Sequence, residues 1–147
     1  MAGKRVAVVT GSNKGIGFGI VKELCTKFDG DVYLTSRDEE RGKAAIQELE
    51  KLGAYPKYHQ LDIDNEASVL RIRDFLKEHY GGLDVLVNNA AIAFKTAATE
   101  PFSEQAAVTL RTNFFNTFRA CNILFPILKP HARVVNVSSS AGHLHLS

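Results

Sequence analysis

Two kinds of hydrophobic patterning alternate along the 147 residues. Short apolar runs bounded by glycine or polar residues read as buried strands, and apolar residues three and four apart read as one face of a helix. The pattern predicts a strand from Arg5 to Thr10 around Val6-Ala7-Val8-Val9, then a helix whose core stripe is Ile16, Ile20, Leu24 and Phe28 with Val21 beside them. Asp29-Gly30-Asp31 breaks that helix, and Val32 to Thr35 makes a second strand. Asp38 is placed to cap a second helix, with Glu39 and Glu40 in the favourable first turn, Ala45, Leu49 and Leu52 as its buried stripe, and Gly53 at its end. Tyr58 to Leu61 is a third strand. Asp62-Ile63-Asp64 leads into a third helix, with Asp64 as its cap, Val69, Ile72, Leu76 and Tyr80 on one face, and Gly81-Gly82 as its stop. Leu83 to Val87 is a fourth strand, apolar apart from Asp84, which runs into Asn88-Asn89-Ala90-Ala91. After a mixed stretch from Ile92 to Phe102, Ser103 caps a long helix with Ala107, Leu110, Phe114, Phe118, Cys121 and Phe125 at apolar positions, closed by Pro126 and Pro130. Val134 to Val137 is the fifth strand.

Strands that alternate with helices predict a parallel sheet covered on both faces, because each crossover returns on the same hand. The doubly wound rule gives the strand order 3-2-1-4-5 and puts ligands at the carboxyl ends of the strands. Gly11, Arg37, Asp62, Asn89 and Ser139 all fall at such ends. Neither repeat nor linker interrupts the pattern, so residues 1–147 are read as one domain.

Composition narrows the partners more than the fold. A 45% hydrophobic and 23% charged chain is of ordinary globular type, and its net charge of +2, with no basic cluster, gives no reason to expect nucleic acid or a membrane surface as partner. The amino terminus runs directly into the first strand, so the expectation is a cytosolic protein without a leader. Cys25 and Cys121 lack CxxC spacing and are expected to be free thiols; His143 and His145 have no third ligand, and His59, His79 and His131 lack partners at ligand spacing, so no metal is expected.

The stretch richest in chemistry is Thr10-Gly11-Ser12-Asn13-Lys14-Gly15-Ile16-Gly17, between the first strand and the first helix. Strand, glycine turn and helix in that order suit a nucleotide phosphate. Gly11 leaves the strand, Gly15 clears space, Gly17 lets helix approach strand, and the helix presents its free N–H groups. The T-G-x-x-x-G-x-G spacing resembles the short-chain dehydrogenase/reductase family. With Leu61-Asp62-Ile63-Asp64, Asn88-Asn89-Ala90, Thr112-Asn113-Phe114-Phe115 and Val134-Val135-Asn136-Val137-Ser138-Ser139 following in order, the chain is most similar to that family's NADPH-dependent carbonyl reductases.

The resemblance implies an α/β fold of Rossmann type, a doubly wound parallel sheet with helices on both faces, which stops here after the fifth strand. It implies NADPH/NADP as cofactor, held by Gly11, Asn13, Lys14, Gly15, Ile16, Gly17, Arg37, Asp62, Ile63, Asn89 and Ala90. Where an NAD site needs a carboxylate at the end of the second strand, this sequence reads Thr35-Ser36-Arg37, so Arg37 and Lys14 would pair the 2′-phosphate. Asp62 and Ile63 would flank the adenine. Ala91 stands where the family turn has glycine. Among the catalytic groups, Ser139 would bond the carbonyl oxygen and Asn113 would hold a water relay. The family's Tyr-x-x-x-Lys is absent from the 147 residues, since Tyr33, Tyr55, Tyr58 and Tyr80 all lack a lysine four residues on. The implied function is reduction of small-molecule carbonyls to alcohols, as the amino-terminal half of such an enzyme whose parent is a monomer; a non-catalytic nucleotide-binding or interaction module is the second reading.

Overall fold

The computed structural model describes residues 4–89 and 114–137. Along the chain lie β1 (Val6–Val9), α1 (Gly15–Lys27), β2 (Asp31–Ser36), α2 (Glu39–Lys51), β3 (Lys57–Gln60), α3 (Glu66–Tyr80), β4 (Leu83–Asn89), a helical stretch over 114–124 (α4), a 3-10 turn Phe125–Ile127 and β5 (Leu128–Val137). The strands form one sheet in the order β3-β2-β1-β4-β5. Every pairing is parallel, with Val8 opposite both Tyr33 of β2 and Leu86 of β4.

The continuous apolar run of β1 is explained by burial on both sides of the sheet. Val6 and Val8 join Val69, Ile72, Leu76 and Tyr80 of α3 and Ala120 and Leu124 of α4 in one core. Ala7 and Val9 join Val21 of α1 and Ala45 and Leu49 of α2 in the other. Fixed strand order and buried faces together place every strand's carboxyl end at one rim of the sheet.

Local signals set most boundaries. Asp38 caps α2 by accepting the Arg41 N–H, and Gly81 ends α3 at φ +74°, a left-handed conformation that suits glycine. At α3 the cap is Asn65, whose Oδ1 accepts from the N–H groups of Ala67 and Ser68; Asp64 lies one residue too early to reach them. Ile16 is 57% exposed because α1 meets the sheet through Gly17 and Val21, which turns Ile16 toward the rim. Leu52, at the C-cap of α2 where the chain leaves the helix axis, is exposed as well. The apolar stripe of α4 also departs from expectation. Ala120 and Leu124 make the core contact, while Phe114, Phe115 and Phe118 are more than half exposed on its flank.

β5 starts six residues before the patterned run at Val134. Leu128 pairs with Leu83, a register irregularity intervenes, and pairing resumes at Arg133 opposite Val85. Pro130 has no N–H to give a ladder and falls within that irregularity, followed by His131 at φ +69°. Among the described residues β5 is one edge of the sheet and β3 the other, Val134 and Val135 of β5 are exposed, and no helix is long and apolar enough to cross a membrane.

Candidate cofactor site at the strand ends

The glycine loop is built by hydrogen bonds between strand ends. Ser12, fully buried, donates its N–H to the Thr35 carbonyl (2.8 Å) while its hydroxyl receives the Thr35 N–H (3.0 Å) and lies 2.9 Å from the Val9 carbonyl. Thr35 adds its own hydroxyl to that carbonyl at 2.7 Å. The loop after β1 is thus stapled to β2. From β4, Asn89 donates its N–H to Thr10 Oγ1 and its Nδ2 to the Gly11 carbonyl, both at 2.9 Å.

Gly11 at φ +54° and Gly15 at φ +67° take conformations that a side chain disfavours, so the loop turns at both. Gly17 serves through space. A Cβ there would stand 2.6 Å from Asn89 Nδ2, 2.8 Å from Ser12 Cα and 2.9 Å from the Gly11 carbonyl oxygen. Helix α1 has Lys14 as its N-cap residue, with no side-chain cap bond, which leaves its first N–H groups for an anion between Gly11 and Gly17.

Arg37 follows directly on β2, and its guanidinium is exposed, with Nη1 3.8 Å from Asp64 Oδ2. The turn after β3 faces it. Asp62 gives its N–H to Ser68 Oγ (2.9 Å) and accepts the Asp64 N–H on Oδ1 (3.0 Å), so part of this carboxylate is spent on closing the turn. Ile63 packs partly into the α3–α4 core, and its carbonyl receives Arg119 Nη2 at 3.4 Å. Asn116 Nδ2 reaches Asp64 Oδ1 at 2.7 Å.

Asn88 and Asn89 divide the work of the β4 terminus. Buried Asn88 donates to Asn136 Oδ1 of β5 (3.0 Å) and to Cys121 Sγ of α4 (3.4 Å), holding sheet and helix together, while Asn89 serves the glycine loop. Both cysteines are free and partly covered, and burial pushes both thiols up, with smaller opposing hydrogen bonds from Tyr55 at Cys25 and from Asn88 at Cys121.

The structure therefore brings Gly11, Asn13, Lys14, Gly15, Ile16, Gly17, Arg37, Asp62, Ile63 and Asn89 to one rim. Ala90, Asn113 and Ser139 lie outside the described residues, as do Ala91 and the start of the long helix. Ser12, Asn116 and Arg119 were missed in the sequence. A serine among glycines was the available signal for the first; the other two reach the rim from a helix more than fifty residues away. A cavity of about 620 Å³ opens instead where β5 begins, lined by Arg73, Lys77, Ile123, Ile127 and Lys129 among others, and it includes none of these site residues.

The model of the family described as short chain dehydrogenase matches residues 5–147. The chain belongs to the short-chain dehydrogenase family. Curated members similar to it include carbonyl reductase [NADPH] 3 of Rattus norvegicus, 61% identical over 138 residues, which are 94% of this chain and 50% of that protein. Carbonyl reductase [NADPH] 1 of Bos taurus is 63% identical over 134 residues, 91% of this chain and 48% of that protein. Salutaridine reductase from Papaver somniferum superposes with a TM-score of 0.78 at 33% identity, covering 95% of this chain and 58% of that one. Menthone neomenthol reductase from Mentha piperita gives 0.74 at 35% identity, over 93% of this chain and 61% of that one. The chain thus spans about half the length of the curated short-chain dehydrogenase relatives it matches.

Proposed function

We propose that these residues form the cofactor-binding half of an NADPH-dependent reductase of small-molecule carbonyl compounds. The observation that carries the reading is Arg37 at the carboxyl end of β2, the position at which a site for the unphosphorylated cofactor needs a carboxylate. Its planar guanidinium suits a 2′-phosphate, and Lys14 in the glycine loop adds a second positive charge. The residues present fit the rest of the cofactor, since the glycine loop offers uncapped N–H groups where a pyrophosphate would sit, and Asp62 and Ile63 stand at the adenine end. When bound, the reduced nicotinamide supplies hydride to the carbonyl carbon. In this reading Ser139 bonds the carbonyl oxygen, Asn113 holds a water relay and Ala90 lines the cofactor. Curated relatives at about 60% identity carry the name carbonyl reductase [NADPH], which supports the reading. It includes a cytosolic address and a monomeric full-length parent.

The test is a fluorescence titration with NADPH and NADH on the chain and on Arg37→Ala. Loss of one charge-assisted bond to phosphate costs about 1.5 to 3 kcal/mol. NADPH affinity is therefore expected to fall roughly ten- to a hundredfold with NADH affinity unchanged. An Arg37→Ala variant with the original preference would contradict the reading.

A further inference from the structure

We infer that Asp64 is a resident counter-ion for Arg37, which the 2′-phosphate of the cofactor must displace, so that Asp64 helps set how strongly the site prefers a phosphorylated adenosine. The inference rests on the reading of Arg37 as the phosphate ligand. Its basis is the unequal way the two charges are held. Arg37 is 73% exposed and meets Asp64 through Nη1 at 3.8 Å, a charge contact too long for a hydrogen bond. Among the described residues its guanidinium makes no hydrogen bond, and only its backbone carbonyl accepts one, from Gln60 Nε2.

Asp64 is fixed. Its backbone N–H is tied to Asp62 Oδ1 at 3.0 Å, and its Oδ1 accepts from Asn116 Nδ2 of α4 at 2.7 Å, while Oδ2 is the oxygen that meets Arg37. The carboxylate has no capping duty, since Asn65 caps α3. A hydrogen-bonded anion therefore stands beside an exposed cation at the end of β2. The incoming phosphate has the same sign of charge as Asp64 and seeks the same partner, so the two compete. The phosphate wins, because it accepts two parallel bonds from the guanidinium fork where Asp64 has one long contact. Displacing an exposed ion pair of this kind weakens binding by about two- to fivefold. A nucleotide without the 2′-phosphate leaves the pair undisturbed and escapes that penalty.

The experiment titrates 2′,5′-ADP and 5′-AMP calorimetrically against the chain and its Asp64→Asn, Arg37→Ala and double variants. Asparagine retains an oxygen for Asn116 and removes the charge. The expected result is that Asp64→Asn binds 2′,5′-ADP about two- to fivefold more tightly, leaves 5′-AMP unchanged and has no effect in the Arg37→Ala background. Asp64→Asn binding of 2′,5′-ADP that is unchanged or weaker overturns the inference while Arg37→Ala still loses its preference. A gain that persists without Arg37 overturns it too, because Asp64 would then repel phosphate directly. An Arg37→Ala variant with unaltered preference for 2′,5′-ADP removes the reading of Arg37 and the inference with it.

Discussion

Gly17→Ala tests whether the glycine loop is built as described, because one methyl group would meet three fixed atoms at once. The added carbon would stand 2.6 Å from Asn89 Nδ2, 2.8 Å from Ser12 Cα and 2.9 Å from the Gly11 carbonyl oxygen. Two of the three are backbone atoms of a loop that Ser12 staples to β2, so relief requires moving α1 or the loop. Overpacking of this kind costs about 1 to 3 kcal/mol. The bond from Asn89 Nδ2 to the Gly11 carbonyl is lost with it, at about 0.5 to 1.5 kcal/mol, and the better helix propensity of alanine returns about 1 kcal/mol. The net is a destabilisation of roughly 1 to 3 kcal/mol, which at this chain length lowers Tm by about 3 to 10 °C. Gly19, one half-turn further along α1, is the internal control: nothing lies within 4 Å of a Cβ there, so Gly19→Ala should raise stability by up to about 1 kcal/mol. Thermal unfolding followed by circular dichroism reads both variants, and an NADPH titration should weaken only for Gly17→Ala. If both substitutions shift Tm upward together, Gly17 serves no close approach and the construction of the loop argued above is wrong.

At the opposite rim, burial acts to raise the Asp31 pKa, but the Tyr80 hydroxyl at 2.6 Å and the ion pairs with Lys4 and Lys57 outweigh it and hold the carboxyl below its ordinary 3.8. A lowered folded-state pKa gives stability that is present above the ordinary value and lost as pH falls through the folded one. Asp31→Asn should therefore cost about 1 to 3 kcal/mol near pH 7, with the gap to the parent closing in the acid range below 3.8; a Tm series from pH 7 to 2 that widens instead refutes it. His131 holds φ +69° at the β5 irregularity, so His131→Gly should raise Tm by a few degrees and His131→Val should lower it, opposite shifts that a single melting experiment compares. Residues 1–147 assayed alone should show no steady carbonyl reduction, because no Tyr-x-x-x-Lys stands among them and a positioned general acid contributes about 10² to 10⁴-fold; NADPH oxidation with a dicarbonyl above that of Ser139→Ala would mean another group supplies the proton.

What could be read along the chain was whatever depends on neighbours in sequence. Unbroken apolar runs separated by stripes at helical spacing dictate buried parallel strands with crossovers, and one hand for the crossovers leaves few strand orders. The glycines at 11, 15 and 17 and the arginine after β2 mark the rim by their position in that order alone. Asp38 could be named as a cap because its partner, the Arg41 N–H, is three residues away. The residues that tighten the site could not be found this way. Ser12 meets Thr35 across 23 positions, Asn116 meets Asp64 across 52 and Asn89 meets Gly11 across 78. Ile16 and Leu52 satisfied the helical spacing and still point away from the core, because a helix packs through the arc that its contact with the sheet selects. Periodicity states that a helix has an apolar side. Which atoms that side meets is decided only when the sheet brings distant segments to the same rim, and the hydrogen bonds and ion pairs that shape a ligand site form between those segments.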